Sequence, residues 1–268
     1  MIRHLFPVAL SLLLAVGVHA QDASSVPPPR DVAYAPGTIR LEVDATNLNQ
    51  RIFKVRQTIP VQAGALTLLY PAWVPGGHSP RNSIDKIAGL VFKAGDRKLE
   101  WKRDPLNVFA FHLDVPQGVS QITAEFDFLS ATGSGQGRVV MTPRMLNLQF
   151  LTTVLYPAGH YAGRIMFDPR VTYPSGWTAF TALHEQGRSG DTVDYEDVPL
   201  DILVDSPVYA GRHAKNIDLT PAGSKVPVRL GVVADAAKFL EAKPEQIAIH
   251  KAMVAQAVKL FGAQHYDH

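Results

Sequence analysis

The residues whose types could do chemistry are few and scattered. His184-Glu185-Gln186-Gly187-Arg188 carries the first two letters of a His-Glu-x-x-His zinc site. That chemistry needs two histidines one helical turn apart, with the glutamate beside a zinc-bound water. Here Arg188 stands at the fifth position and Gly187 breaks a helix, so the run reads as a surface turn. His265 and His268 lie three apart, a pairing more often solvent-exposed than liganding. Asp205 and Ser206 have no histidine at a telling spacing, and Asp-Ser commonly starts a turn. The run 133–138, Gly-Ser-Gly-Gln-Gly-Arg, lacks the strand-to-helix context of a phosphate loop and reads as a hairpin loop. His78, His112, His160 and His213 read as surface or hydrogen-bonded histidines. These residues supply neither a catalytic set nor a metal set.

The elements that would have to position such groups are mainly strands. Ile39, Leu41 and Val43 alternate with Arg40, Glu42 and Asp44. Phe109, Phe111, Leu113 and Val115 alternate with Ala110, His112 and Asp114, and Ile122, Ala124, Phe126 and Phe128 with Thr123, Glu125 and Asp127. Strict alternation marks strands with one wet face and favours antiparallel sheets. Further short runs, 146–156, 163–167, 176–183, 201–211 and 213–219, read as strands punctuated by Gly, Pro, Asn and Asp. The expected class is mainly β, with curved or stacked antiparallel sheets. Between two of the strands lies a long loop, Tyr70–Leu90, holding Trp73, Pro75, Gly76, Gly77, His78 and Pro80. Trp73 is expected to pack, and Pro75 and Gly76 to set a turn. The polar tip His78, Ser79, Arg81 and Asn82 is expected to face a second domain or a substrate cleft.

Near Ala222 the character changes. Val226, Val228, Leu230 and Val232 form one more alternating strand, and a helix follows over 244–261. Pro244 suits its first turn, Glu245 its positive end and Gly262 its stop. Ile247, Val254, Val258 and Phe261 share one face, with Ile249, Met253 and Leu260 beside it. An α/β unit of this size cannot bury such a helix well.

The chain has 268 residues, no cysteine and a formal charge of +2, from 26 basic and 24 acidic residues. No disulfide framework is available, and no basic stripe points to nucleic acid. Residues 1–20 have a positive start at Arg3, an apolar run and a small-x-small ending, so they read as a signal peptide cut after Ala20. Export to the periplasm or beyond is expected, with no membrane association after the signal is removed. The domain reading is 21–37 a proline-rich lead-in, 38–222 a β-domain, and 223–268 the beginning of a second, α+β domain.

Three segments together resemble a known family. Leu66–Phe92 followed by Leu99–Pro116 is similar to the amino-terminal β-domain of the glycyl aminopeptidase family of zinc metallopeptidases, with Trp73, Pro75 and Gly76 matching its Trp-x-Pro-Gly loop. Leu203–Gly211, with Asp205, Ser206 and Pro207, resembles the segment that closes that domain. Ala255–His268 resembles the helix and Phe-Gly turn that open its thermolysin-like catalytic domain. The resemblance implies a zinc aminopeptidase whose His-Glu-x-x-His helix and third ligand lie beyond the equivalent of His268. It also implies that this stretch alone has no cofactor, that its partner is the remainder of its own catalytic domain, and that peptides are the substrate of the whole. The other reading open at this point is an exported β-sheet module that binds peptides or cell-wall glycans.

Overall fold

The computed structural model describes residues 26–73, 76–77 and 79–266. The expected signal peptide, Pro75, His78 and His268 lie outside them. In chain order the strands are β1 Ile39–Asn47, β2 Ile52–Pro60, β3 Gly64–Leu69, β4 Ile87–Ala94, β5 Arg97–Leu99, β6 Trp101–Arg103, β7 Ala110–Val115, β8 Gln121–Leu129 and β9 Met145–Leu148. Then come β10 Tyr156–Pro157, β11 Met166–Thr172, β12 Thr178–Phe180, β13 Glu185–Ser189, β14 Thr192–Tyr195 and β15 Val198–Pro199. Helix α1 Leu200–Val204, β16 Val208–Gly211, β17 His213–Asp218, β18 Arg229–Ala234 and helix α2 Pro244–Phe261 complete the order.

A nine-stranded sheet runs β13-β14-β11-β1-β2-β8-β4-β5, with β15 pairing β11. Its strands pair antiparallel except β1 with β11, a parallel pair that the alternation did not anticipate. The alternating residues divide as expected: Ile39, Leu41, Val43 and Ala45 are buried, and the charged residues between them face out. The register turns that outer face into a ladder. Asp194, Arg170, Glu42, Arg56 and Glu125 sit side by side on five strands, alternating in sign. Arg56 reaches Glu125 at 2.5 Å and Glu42 at 3.9 Å. Opposite charges across strands stabilise the pairing modestly and discourage slipped registers.

A four-stranded sheet, β10-β3-β7-β6, packs on the large one. Trp101 joins them, meeting Phe92 edge-on at 6.3 Å between ring centroids and Phe111 at 5.3 Å. Buried Gln57 of β2 bonds like a second backbone: its Nε2 donates to Leu155 O at 2.9 Å, and its Oε1 accepts from Leu155 N at 2.7 Å. Both polar ends of the amide are thereby satisfied inside the core, where an unmet one would be costly. A third sheet, β12-β16-β9, completes the wall.

Two expected strands take other forms. Residues 146–156 break into β9, a 3-10 turn at Phe150–Thr152 and the start of β10, because Phe150, Leu151, Val154 and Leu155 all turn inward. Residues 201–204 are helical, with Leu200 and Leu203 buried. A three-residue apolar spacing, not two, is what the site rewarded.

Beyond Gly211, β17 and β18 form a two-stranded ribbon that straddles the expected boundary at 222. Asp235 pins it to the β-domain, accepting from Thr142 Oγ1 at 2.7 Å and, through its carbonyl, from Arg144 Nη1 at 2.9 Å. Helix α2 occupies the expected residues, with Pro244 in its first turn and Gly262 at φ +70° after its end. Only Val254 of that helix is buried.

Candidate functional site

The long loop after β3 is stapled at its base. Tyr70 is buried and its hydroxyl donates to Thr152 O at 3.3 Å; burial pushes that phenol well above its ordinary range. Asn82 is buried too. Its Nδ2 donates to Pro71 O at 2.7 Å and to Leu151 O at 2.8 Å, while its Oδ1 accepts from Ser83 N at 2.9 Å. Asn82 was expected at the polar tip; it instead holds the two ends of the loop to the 3-10 turn at 150–152. Both N–H donors of this buried amide are spent on the fold, and its oxygen is held by Ser83 N.

Trp73 reverses the other expectation. It is 61% exposed and forms an isolated bridge with Pro80, so it stands on the surface and does not pack. Gly76 has φ +73°, a left-handed position that suits glycine. Arg81 Nε donates to Ser79 Oγ at 2.5 Å, a contact at the exposed tip. Of the tip residues described, Ser79 and Arg81 face outward and Asn82 does not.

Asp205, Ser206 and Pro207 follow α1. Ser206 is buried, and its Oγ donates to Ile202 O at 2.7 Å while its carbonyl accepts from Thr181 Oγ1 at 3.3 Å. Asp205 caps the helix through its backbone N–H, bonded to Asp201 O at 3.3 Å. These contacts are structural: the serine hydroxyl is spent on a carbonyl.

His184–Arg188 is neither a helix nor only a turn. Glu185–Ser189 is a strand, paired with β14 and bulged between Glu185 and Gly187; the turn itself is Gly190-Asp191. Glu185 accepts two bonds from Arg188, at 3.1 and 2.9 Å, and that ion pair holds its carboxyl below the ordinary carboxylate range. Among the described residues no three His, Asp or Glu side chains come together to share a metal ion.

One polar constellation had no sequence signal. His112 of β7 sits between Thr67 of β3, at 2.9 Å from Nδ1, and Asp104, at 2.9 Å from Nε2. The Asp104 side chain is 1% exposed, and its Oδ1 also accepts from the N–H groups of Leu106 and Asn107 at 2.8 Å. Thr67 and His112 are directly opposed across the ladder. Nothing in linear spacing joins residues 67, 104 and 112; the register does. Thr67 is a mid-strand residue, so the cluster reads as a cross-strand lock that fixes the loop 104–109.

Two cavities open on this surface. One, about 470 Å³, lies over the charge ladder beside the β4 bulge at Gly89 and is floored by charges of both signs. The other, about 800 Å³, lies between β12, the β13–β14 hairpin and the β17–β18 ribbon.

No curated protein matches this chain. Among solved structures it is similar to an aminopeptidase N family protein from Idiomarina loihiensis, with a TM-score of 0.70 and 14% identity, covering 86% of this chain and 38% of that one. It also aligns with an M1 zinc metallopeptidase from Deinococcus radiodurans, solved as a mutant bound to a Tyr-Ser-Ala substrate, with a TM-score of 0.47 and 13% identity over 88% of this chain and 55% of that one. The chain therefore spans less than two thirds of the length of either structure. The first likeness confirms the mainly β architecture. The Peptidase M61 N-terminal domain model matches residues 40–212, from the first core strand to the end of β16. That match covers more than half of the sequence and ends where the compact core ends, and this chain belongs to the Peptidase M61 N-terminal domain family.

Proposed function

We propose that this chain is the non-catalytic amino-terminal part of an exported, zinc-dependent aminopeptidase of the glycyl aminopeptidase type. Membership of a peptidase N-terminal domain family supports the metallopeptidase reading. Export rests on the signal-like residues 1–20, and the zinc and glycyl aminopeptidase reading on the resemblance of Trp73, Pro75, Gly76 and residues 203–211 and 255–268. The observation that carries the reading of a part awaiting its catalytic domain is the second apolar stripe of α2. Ile249, Met253 and Leu260 are 67%, 60% and 77% exposed, and with Ala257 they recur at the spacing of a helix that packs on another helix. The β-domain does not cover this stripe. Its occupant is the remainder of the catalytic domain, which supplies the zinc ligands and the glutamate that activates water on the metal. The β-domain's part in that enzyme is to dock the catalytic domain and to present the Trp73 loop, with Ser79 and Arg81 outward, at the seam. Peptides are the substrate of the whole; neither nucleic acid nor membrane is a partner after the signal is cut at Ala20.

Metal analysis and an amino-acid-amide hydrolysis assay test this reading. The purified 268-residue chain should hold no stoichiometric zinc and release no amine. A longer chain carrying a His-Glu-x-x-His helix should hold one zinc and hydrolyse the amide. One tightly held zinc in the shorter chain would overturn the proposal.

A further inference from the structure

The cleft of about 800 Å³ has walls of two kinds. Ala179, Phe180, Thr181, Ala182 and Leu183 line it consecutively. Ala179 and Phe180 are neighbours in β12 and point to opposite faces, so a cleft that touches both runs along that strand's backbone edge, and Thr181–Leu183 extend it past the strand's end. The ribbon contributes differently. Asn216, Arg229 and Gly231 line it, with Gly231 directly opposite Asn216, which is one face of the ribbon. Phe180 spaces the two walls: a Cβ at Gly231 would collide with the Phe180 ring, so the ring rests on bare backbone.

The edge is unpaired. β12 is the terminal strand of its sheet, with β16 on one side. Among the described residues no backbone hydrogen bond from outside the sheet reaches Thr178, Ala179 or Phe180. An open edge is a template for another extended chain, held by main-chain hydrogen bonds.

Charge selects the occupant. Glu185 in the cleft is held by Arg188. Arg229 is exposed, and its cross-strand neighbour Asp218 is turned to Thr220, accepting from its N–H at 2.9 Å and its hydroxyl at 2.5 Å. Among the lining residues two guanidinium groups thus meet one carboxylate. Asp218, outside the lining, feels the charge of Arg229 across the ribbon, but among the described residues Arg229 forms no ion pair within 4 Å and its guanidinium keeps its donors for a ligand. We propose that this cleft binds an extended peptide segment bearing a carboxylate, which adds as a strand to the free edge of β12 and sets its carboxylate on Arg229. The carboxylate comes from a chain end or from an acidic side chain. The site needs no zinc and no residue outside this chain, so it stands apart from the peptidase reading.

Fluorescence anisotropy on the metal-free 268-residue chain tests it. The probes are fluorescein-labelled β-prone hexapeptides: one with a free C-terminal carboxylate, one amidated with an internal Glu, and one amidated with an internal Lys. Either carboxylate probe should bind saturably, and comparison of the two identifies the source. The Lys probe should bind at least about tenfold more weakly, as should the carboxylate probes to Arg229→Ala, since losing a bond to a charged group is worth that factor. N-methylation of alternate amides should abolish binding in one phase and spare it in the other, because only every second N–H of an added strand points at the edge. No saturable binding by either carboxylate probe would overturn the proposal. So would equal effects of the two methylation phases, or indifference to Arg229→Ala.

Discussion

The β-domain and the tail beyond Gly211 are both rich in apolar residues, and they end in opposite states. The hydrophobic core runs without interruption from Ile39 to Ala210. After it, Leu219, Ala234 and Val254 are the buried hydrophobic residues, while Phe239, Ile249, Met253, Leu260 and Phe261 stand 60–77% exposed. The difference lies in layers. The central strands β1, β2, β7 and β8 each bury alternate side chains in one shared core, Trp101 joins the two larger sheets, and Gln57 ties β2 to the segment before β10. Helix α2 has one contact face, around Val254, and no layer on its others. Apolar side chains stabilise a fold only by roughly 25 cal/mol for each Å² they remove from water, and the tail removes little.

The largest expected effect is in hydrogen exchange. Amides of 247–261 should exchange faster than those of 110–115 by at least about three orders of magnitude, since the strand opens only with the global fold and the helix opens locally. Equal protection in a monomer would mean that α2 has found its partner inside these 268 residues.

Core truncation gives the next contrast. Phe167→Ala, at a fully buried position of β11, should cost about 3–5 kcal/mol in denaturant titration. Leu260→Ala and Met253→Ala should stay within about 0.5 kcal/mol in this chain, because their side chains are already in water. A large cost for either exposed residue would erase the distinction.

His112→Ala should cost about 2–3 kcal/mol, mostly by stripping a partner from the buried Asp104 carboxylate. In a double-mutant cycle Asp104→Asn should recover part of that loss, whereas a simple packing role for His112 would leave the two changes additive.

The smallest effect lies in alkali. Tyr34, Tyr70, Tyr156, Tyr173 and Tyr195, none of them in the tail, have phenols raised by burial, Tyr34 to about 12. Tyr173 and Tyr195 also share a hydrogen bond of 2.7 Å between their hydroxyls. In the unfolded chain these groups ionise near 10, so it binds fewer protons than the folded chain above that pH. Their contribution is intact below pH 10 and is lost as pH rises toward the folded values. Absorbance of the ionised phenols should therefore rise late and together with unfolding. An early, independent rise would show that the β-domain is looser than its burial indicates.

Periodicity in the sequence determined much of this molecule. Alternation at 39–45 and 122–128 located β1 and β8 and their wet faces, because a strand must put every second side chain on one side. Pro244 and Gly262 bracketed α2, because φ restrictions act locally. The absence of a second histidine after His184 excluded the peptidase motif without any structure. What periodicity could not decide was which layer each face would meet. Trp73 carries a large apolar ring, yet no layer lies over it, and Asn82 carries a polar amide, yet three backbone groups inside the loop base claim it. Thr67, Asp104 and His112 meet through the register of β3, β6 and β7, and the free edge of β12 exists because its sheet stops there. Burial, cross-strand contact and open edges belong to segments far apart in sequence, and only the folded arrangement brings them to one place.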